Sequence, residues 1–228
     1  MTYGSNLFSA YYNAQYALPV GYRRVEYLES SGTQWIDTGF VPTINFEIDA
    51  KFDFTYYNQI CYLFGCCTTA WNRNVLAFSG NKDSVGGPLR VFLAGDTATG
   101  GNGGYVFISN LIQLSALAMN ASNLSIDGVQ YSYNNEYTHP FSLNITHSLY
   151  VFGRNNRGTA DYLTQMKVHG FAIKDSNTLV RNFVPCVRIA DSKAGLYDLC
   201  GSICPLTGTP FYINSGTGAD FTWGELTV

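Results

Sequence analysis

Charge is scarce in this sequence. Lys, Arg, Asp and Glu make up 13% of 228 residues, and the net charge is −3. The clustered Lys and Arg that neutralise phosphates are missing, which argues against a nucleic-acid partner. Low charge with 46% hydrophobic residues also excludes intrinsic disorder, which needs the opposite balance. No apolar run approaches the roughly 20 residues that span a bilayer. The opening MTYGSNLFSAYYNAQYA has neither a basic region nor a continuous apolar stretch, so it does not read as a signal peptide. Only three histidines occur, His139, His147 and His169, and zinc would need a tighter Cys/His grouping. Six cysteines are too sparse for a disulfide scaffold at this length. Cys61, Cys66 and Cys67 fall in an apolar run and read as small buried hydrophobes. Cys200 and Cys204 flank Gly-Ser-Ile and could close a small bridged loop.

What the chain does have is aromatic residues, at 15%, and 23 glycines. Aromatic and β-branched residues broken up by Gly and Asn favour strands and turns. Phe46, Ile48, Ala50, Phe52 and Phe54 alternate with Glu47, Asp49, Lys51 and Asp53, the pattern of a strand with one buried and one wet face. Residues 59–67 read as a central strand. Strands are also expected at 74–79, 89–94, 105–119 (two, around Asn110), 148–152, 163–174 and 178–185. Asn123 to Val129 carries an Asp-Gly hairpin turn. In GYRRVEYLESSGTQWIDTGFVP (21–42), two strands flank a Ser30-Ser31-Gly32 turn, with Val25, Tyr27 and Glu29 on one face and Arg24, Glu26 and Leu28 on the other. About a dozen short strands and no long helix predict an all-β fold, a two-sheet antiparallel jelly-roll sandwich. It would occupy residues 19–228. Residues 1–18 form a separate attachment segment in which Phe8, Tyr11, Tyr12 and Tyr16 suggest a short amphipathic helix closed by Pro19.

LPVGYRRVEYLESSGTQWIDTG resembles the opening of concanavalin A-like, laminin-G-like jelly-roll modules of phage and prophage proteins of gut bacteria. Their usual form is V-E-Y-I-E-S-x-G-T-Q-Y-I-D-T-G after a Leu-Pro-x-Gly-Tyr start. The Ile126-Asp127-Gly128 hairpin, VFGRNNRGTADYLTQMKVHGFAIKD (151–175) and LVRNFVPCVR…GLYD…FYINSGTG (179–218) agree with it. Two departures are the insert Cys200 to Thr207 and the private residues 1–17. The resemblance implies the concanavalin A-like sandwich. It implies function only broadly, because that scaffold serves lectins, glycosidases and virion appendages alike.

The catalytic signals are incomplete. Asp37-Thr38-Gly39 matches the aspartic-protease triplet, but that chemistry needs two such loops. Glu47 and Asp49 match the E-x-D of laminarinase-type glycosidases, whose retaining mechanism uses two carboxyls about 5 Å apart. The third acid of that motif is missing, with Lys51 and Phe52 where it would fall. His169, inside an apolar strand, reads as a satisfied strand residue. Asp83, Asp96 and Asp161 are loop acids that could hold calcium, though no dense acidic loop occurs; no other cofactor is expected.

A binding surface fits better. Trp71, Asn72 and Arg73 lie in one polar loop, Tyr56 and Tyr57 in a second, and Arg154 and Asn155 in a third. Aromatic faces stack on sugar rings, and amides and guanidinium groups hydrogen-bond hydroxyls. The expectation is therefore a non-catalytic virion protein: a capsid decoration, head-fibre or tail-associated component made in the bacterial cytoplasm. It would be held to other virion proteins or sister subunits by residues 1–18, with its sandwich facing host-surface or mucosal glycans. A free or cell-surface lectin module is the alternative, and a laminarinase-type hydrolase the third reading.

Overall fold

A computed structural model describes residues 17–56, 61–68, 75–80, 89–94, 104–108, 115–132 and 144–226. The expected segment around Phe8, Tyr11, Tyr12 and Tyr16 lies outside them. The strands, in chain order, are β1 (Tyr22–Arg24), β2 (Tyr27–Ser31), β3 (Ile36–Asp37), β4 (Phe46–Tyr56), β5 (Cys61–Cys67), β6 (Val75–Gly80), β7 (Leu89–Ala94), β8 (Gly104–Ile108), β9 (Ser115–Asn120) and β10 (Leu124–Ile126). They continue as β11 (Val129–Tyr131), β12 (Tyr150–Val151), β13 (Arg154–Asn156), β14 (Thr159–Asp161), β15 (Gln165–Asp175), β16 (Thr178–Arg188), β17 (Lys193–Asp198), β18 (Phe211–Tyr212) and β19 (Thr222–Gly224). The described residues form no helix, and the expected all-β two-sheet sandwich is the observed fold.

One sheet runs β11-β10-β9-β4-β15-β16-β17-β18. The second runs β14-β13-β5-β6-β7-β8, with β12 and then β3 added beside β5. In the first sheet β15 shares one edge between two partners: Phe171 to Asp175 pair with β16, while Gln165 to Val168 pair with β2. β2 in turn pairs with β19, and β1 pairs with the far end of β16. Both ends of the described chain are thus woven into the middle of this sheet.

The alternation in β4 is realised as expected. Phe46, Ile48, Ala50, Phe52 and Phe54 are all buried, and the acids and lysine between them are half-buried on the outer face. On β15 the alternation slips: Val168 and Phe171 both face inward, three residues apart. A register shift between Val168 and Gly170 supplies the extra residue, as a β-bulge does. Phe64 of the second sheet meets Phe171 edge-on at 5.4 Å, which ties the two sheets across the core.

The opening strands depart from the simple two-face reading. Val25 and Leu28 are both buried, while Tyr27 and Glu29 are half-exposed. The chain jogs at Val25–Glu26, where it changes partners: Val25 N–H donates to Pro185 O, and Glu26 N–H donates to Gly224 O. The jog reverses the faces of everything after it. Cys66, Cys67, Cys186, Cys200 and Cys204 are all free thiols. The Cys200–Cys204 bridge therefore does not form, and Cys204 is buried while Cys200 reaches the surface.

The two quoted signatures interlock. Gln34 is buried, and its Oε1 accepts from Ser30 Oγ at 3.0 Å and Ser31 N at 2.9 Å, while its Nε2 donates to Asp220 O at 3.3 Å. Asn214 Oδ1 accepts from Trp35 N and Gly216 N, and its amide donates to Ala219 O. Gly195 of the GLYD segment lies under β18: an added Cβ would stand 2.3 Å from Tyr212 O, so only glycine fits.

Candidate functional site

The edge of β5 receives an unusual stretch of chain. Tyr150 and Val151 pair antiparallel with Gly65 and Phe64. The chain then reverses at Phe152, and Asn155 and Asn156 pair parallel with Cys66 and Cys67. Phe152 is buried at φ 68°, Arg157 has φ 56° and Tyr162 has φ 48°. Bulky residues in the left-handed region are strained, by about 1–3 kcal/mol each. Three of them fall within one eleven-residue stretch.

These reversals bring a compact cluster together. Arg154 grips Asp161 bidentately, Nε to Oδ1 at 2.9 Å and Nη2 to Oδ2 at 2.6 Å. Its guanidinium lies 4.8 Å from the centre of the Tyr162 ring and 5.1 Å from that of Tyr62. The two rings are 5.4 Å apart. Asn156 donates to Asp161 Oδ2 at 2.9 Å, and Cys67 Sγ meets Asn156 Oδ1 at 3.3 Å. Tyr62 is buried, and burial pushes its phenol up to about 12. Burial likewise raises the Cys67 thiol. Tyr162 is 40% exposed. A tyrosine ring fixed against a paired guanidinium and partly open to solvent has the chemistry to stack on an apolar ligand face.

The expected site residues divide. Arg154 sits in the cluster, but its charge is matched by Asp161, so it supports the platform from behind. Asn155 lies on β13, not in a loop, and is buried; its Nδ2 donates to Ser148 O and its Oδ1 accepts from Gly158 N. Trp71, Asn72, Arg73 and Tyr57 lie outside the described residues. Tyr56 ends β4 opposite Gln165. At the end of β5, Cys67 O accepts from Arg157 N–H and Thr68 Oγ1 accepts from Thr146 N. Tyr162 escaped sequence reading because its exposure comes from a backbone kink that has no pattern in the residues.

The acids seen in the sequence are engaged elsewhere. Glu47 pairs with Lys174 at 3.1 Å. Asp49, two residues on along the same face, is pushed up to about 6, chiefly by burial, which outweighs the pull of Lys174. His169 is buried, with Nε2 3.1 Å from Asp53 Oδ2, and burial lowers its proton affinity. Asp37 Oδ1 accepts from Gly39 N, and Thr38 Oγ1 donates to Leu149 O, so the Asp-Thr-Gly triplet is a turn. Of the loop acids considered for calcium, Asp161 is spent on Arg154, and Asp83 and Asp96 lie outside the described residues. Among the described residues no three His, Cys, Asp or Glu side chains group closely enough to hold a metal. No described helix is long and apolar enough to cross a membrane.

No family model matches the chain, and no curated protein matches it. Solved structures do. The CBM40 of the Ruminococcus gnavus IT-sialidase is similar at TM-score 0.51 and 14% identity, over 66% of this chain and 90% of that one. The same module bound to alpha2,3 sialyllactose matches at TM-score 0.47 and 15% identity, over 64% and 90%. Full-length tailspike protein 2 of Escherichia coli O157:H7 bacteriophage CAB120 matches at TM-score 0.43 and 11% identity, over 78% of this chain and 31% of the tailspike. At these identities the likeness at TM-score 0.51 establishes the sandwich fold.

Proposed function

We propose that this chain is a non-catalytic glycan-binding sandwich carried on the surface of a phage particle. The observation that carries the glycan reading is Tyr162, an aromatic ring 40% exposed and fixed against the Arg154–Asp161 pair. Arg157, exposed at the tip of the β13–β14 hairpin, adds a hydrogen-bond donor to the same stretch of chain. The shared sandwich of a sialidase carbohydrate-binding module supports the same reading. The ion pair of Glu47 with Lys174 supports a non-catalytic role, because it removes one carboxylate from the pair that retaining hydrolysis needs.

The virion assignment rests on the resemblance of the 18–224 signatures to phage-borne modules. In this reading residues 1–18 fasten the sandwich to other virion proteins or to sister subunits. The test is a glycan array with the full chain and its Tyr162→Ala variant, alongside particle incorporation of a chain lacking residues 1–18. Glycan signal lost in Tyr162→Ala supports the binding reading, and unchanged signal overturns it. Incorporation of the truncated chain at wild-type level overturns the attachment role. Glycan binding without incorporation of even the full chain would favour the free lectin.

A further inference from the structure

A second site lies at the other end of β15. Tyr162 stands just before the first residue of that strand, and eleven residues at about 3.3 Å each separate its two ends. At the far end three turns converge around an open cleft of about 430 Å³, within the roughly 300–1,000 Å³ of small-molecule sites. The turns belong to residues 43–45, 120–123 and 176–177.

The turns are held in place by backbone groups and by the side chains of Thr43, Asp175 and Asn120. Ser176 N–H donates to Asn45 O, and Thr43 Oγ1 is hydrogen-bonded to Asp175. Asn120 Oδ1 accepts from the N–H groups of both Ser122 and Asn123 at 2.8 Å. The side chains of Asn45, Ser122, Ser176 and Asn177 line the cleft or its rim, are exposed, and make no hydrogen bond among the described residues. Ser176 and Asn177 hold φ 50° and 63°, a two-residue hairpin turn in which glycine would relieve the backbone. Glycine would also remove the hydroxyl and the amide from the cleft.

The geometry points to a binding site for a neutral, hydroxyl-rich ligand, a mono- or disaccharide, on Asn45, Ser122, Ser176 and Asn177. A carboxamide offers a donor and an acceptor side by side, and a vicinal diol offers the complementary pair. Glu47 is the one charged lining residue, and Lys174 neutralises it. An anionic ligand therefore finds no unmatched cation, and a divalent metal finds a single carboxylate that is already paired. This site is independent of the Tyr162 platform.

The experiment is a titration of the full chain with lactose, maltose and cellobiose, followed by backbone amide chemical shifts, with 3′-sialyllactose as the anionic control. At least one neutral sugar should shift the amides of Asn45, Ser122 and Asn177. Asn177→Gly should keep the spectrum dispersed and weaken that sugar at least tenfold. Tyr162→Ala should leave the cleft shifts unchanged, so loss of the platform and loss of the cleft read separately. Absence of cleft shifts with all three neutral sugars, full affinity in Asn177→Gly, or stronger cleft shifts with the sialylated control would each overturn the proposal.

Discussion

Asn214 Oδ1 accepts the backbone N–H of Trp35 at 3.3 Å, across 179 residues of chain. Together with the contact of Gln34 Nε2 to Asp220 O, it locks the opening segment onto the closing one. Gln34 is 2% exposed, and its removal leaves several donors without an acceptor. Gln34→Ala should therefore lower stability by about 2–3 kcal/mol. Urea unfolding would register this as a lower midpoint at unchanged slope.

Asp49 makes stability depend on pH. Its carboxyl is pushed up to about 6 in the folded chain, against an ordinary value near 3.8. The folded state therefore holds a proton that the unfolded chain has released. This contribution is fully present below about pH 3.8 and is lost as pH rises to 6. Asp49→Asn should stabilise the protein at pH 7–8, by on the order of 2–3 kcal/mol, and flatten thermal midpoints between pH 4 and 6. His169 acts in the opposite sense: burial lowers its proton affinity, so its contribution is present above pH 6.5 and fades on acidification.

Arg154→Lys should uncouple the platform from its support. Lysine cannot reproduce the two-pronged grip on Asp161 or lie flat against the tyrosines. The loss in stability should be about 1–3 kcal/mol, and the fluorescence anisotropy of a bound labelled glycan should fall even though the charge is kept. Tyr162→Ala should weaken the glycan at least tenfold and lower stability by about 1–2 kcal/mol, because the ring is 40% exposed and otherwise packs against Tyr62 and Arg154.

Gly195→Ala places a methyl group against backbone. Its Cβ would lie 2.3 Å from Tyr212 O and 2.8 Å from Phe211 Cε2, so β18 must move away from β17. Loss of soluble yield, or a thermal midpoint lower by several degrees, is expected. A variant with unchanged yield and midpoint would show that β18 yields freely.

The sandwich was legible because β4 states its period openly: five apolar residues alternate with charged ones. The Asp127-Gly128 turn was equally plain, and its φ values of 49° and 80° are those such a hairpin needs. Register was not legible, since nothing in Lys174 announces that it meets Glu47. The Arg154-Asn155-Asn156 stretch reads as a polar loop because its side-chain partners, Asp161 and Ser148, lie five to seven residues away and only the strand pairing brings them together. The opening faces were misread past Val25 because a change of strand partner leaves no mark on the local pattern.

β2 pairs with β15 on one side and with β19 on the other. During synthesis the opening signature must wait for almost the entire described chain before its sheet can close. The folding reaction is therefore dominated by contacts far apart in sequence, which are slow to form. Until Thr222 to Gly224 arrive, β2 presents an unpaired edge. The seam between the two signatures is where a nascent or truncated chain is most exposed to strand exchange with a neighbour.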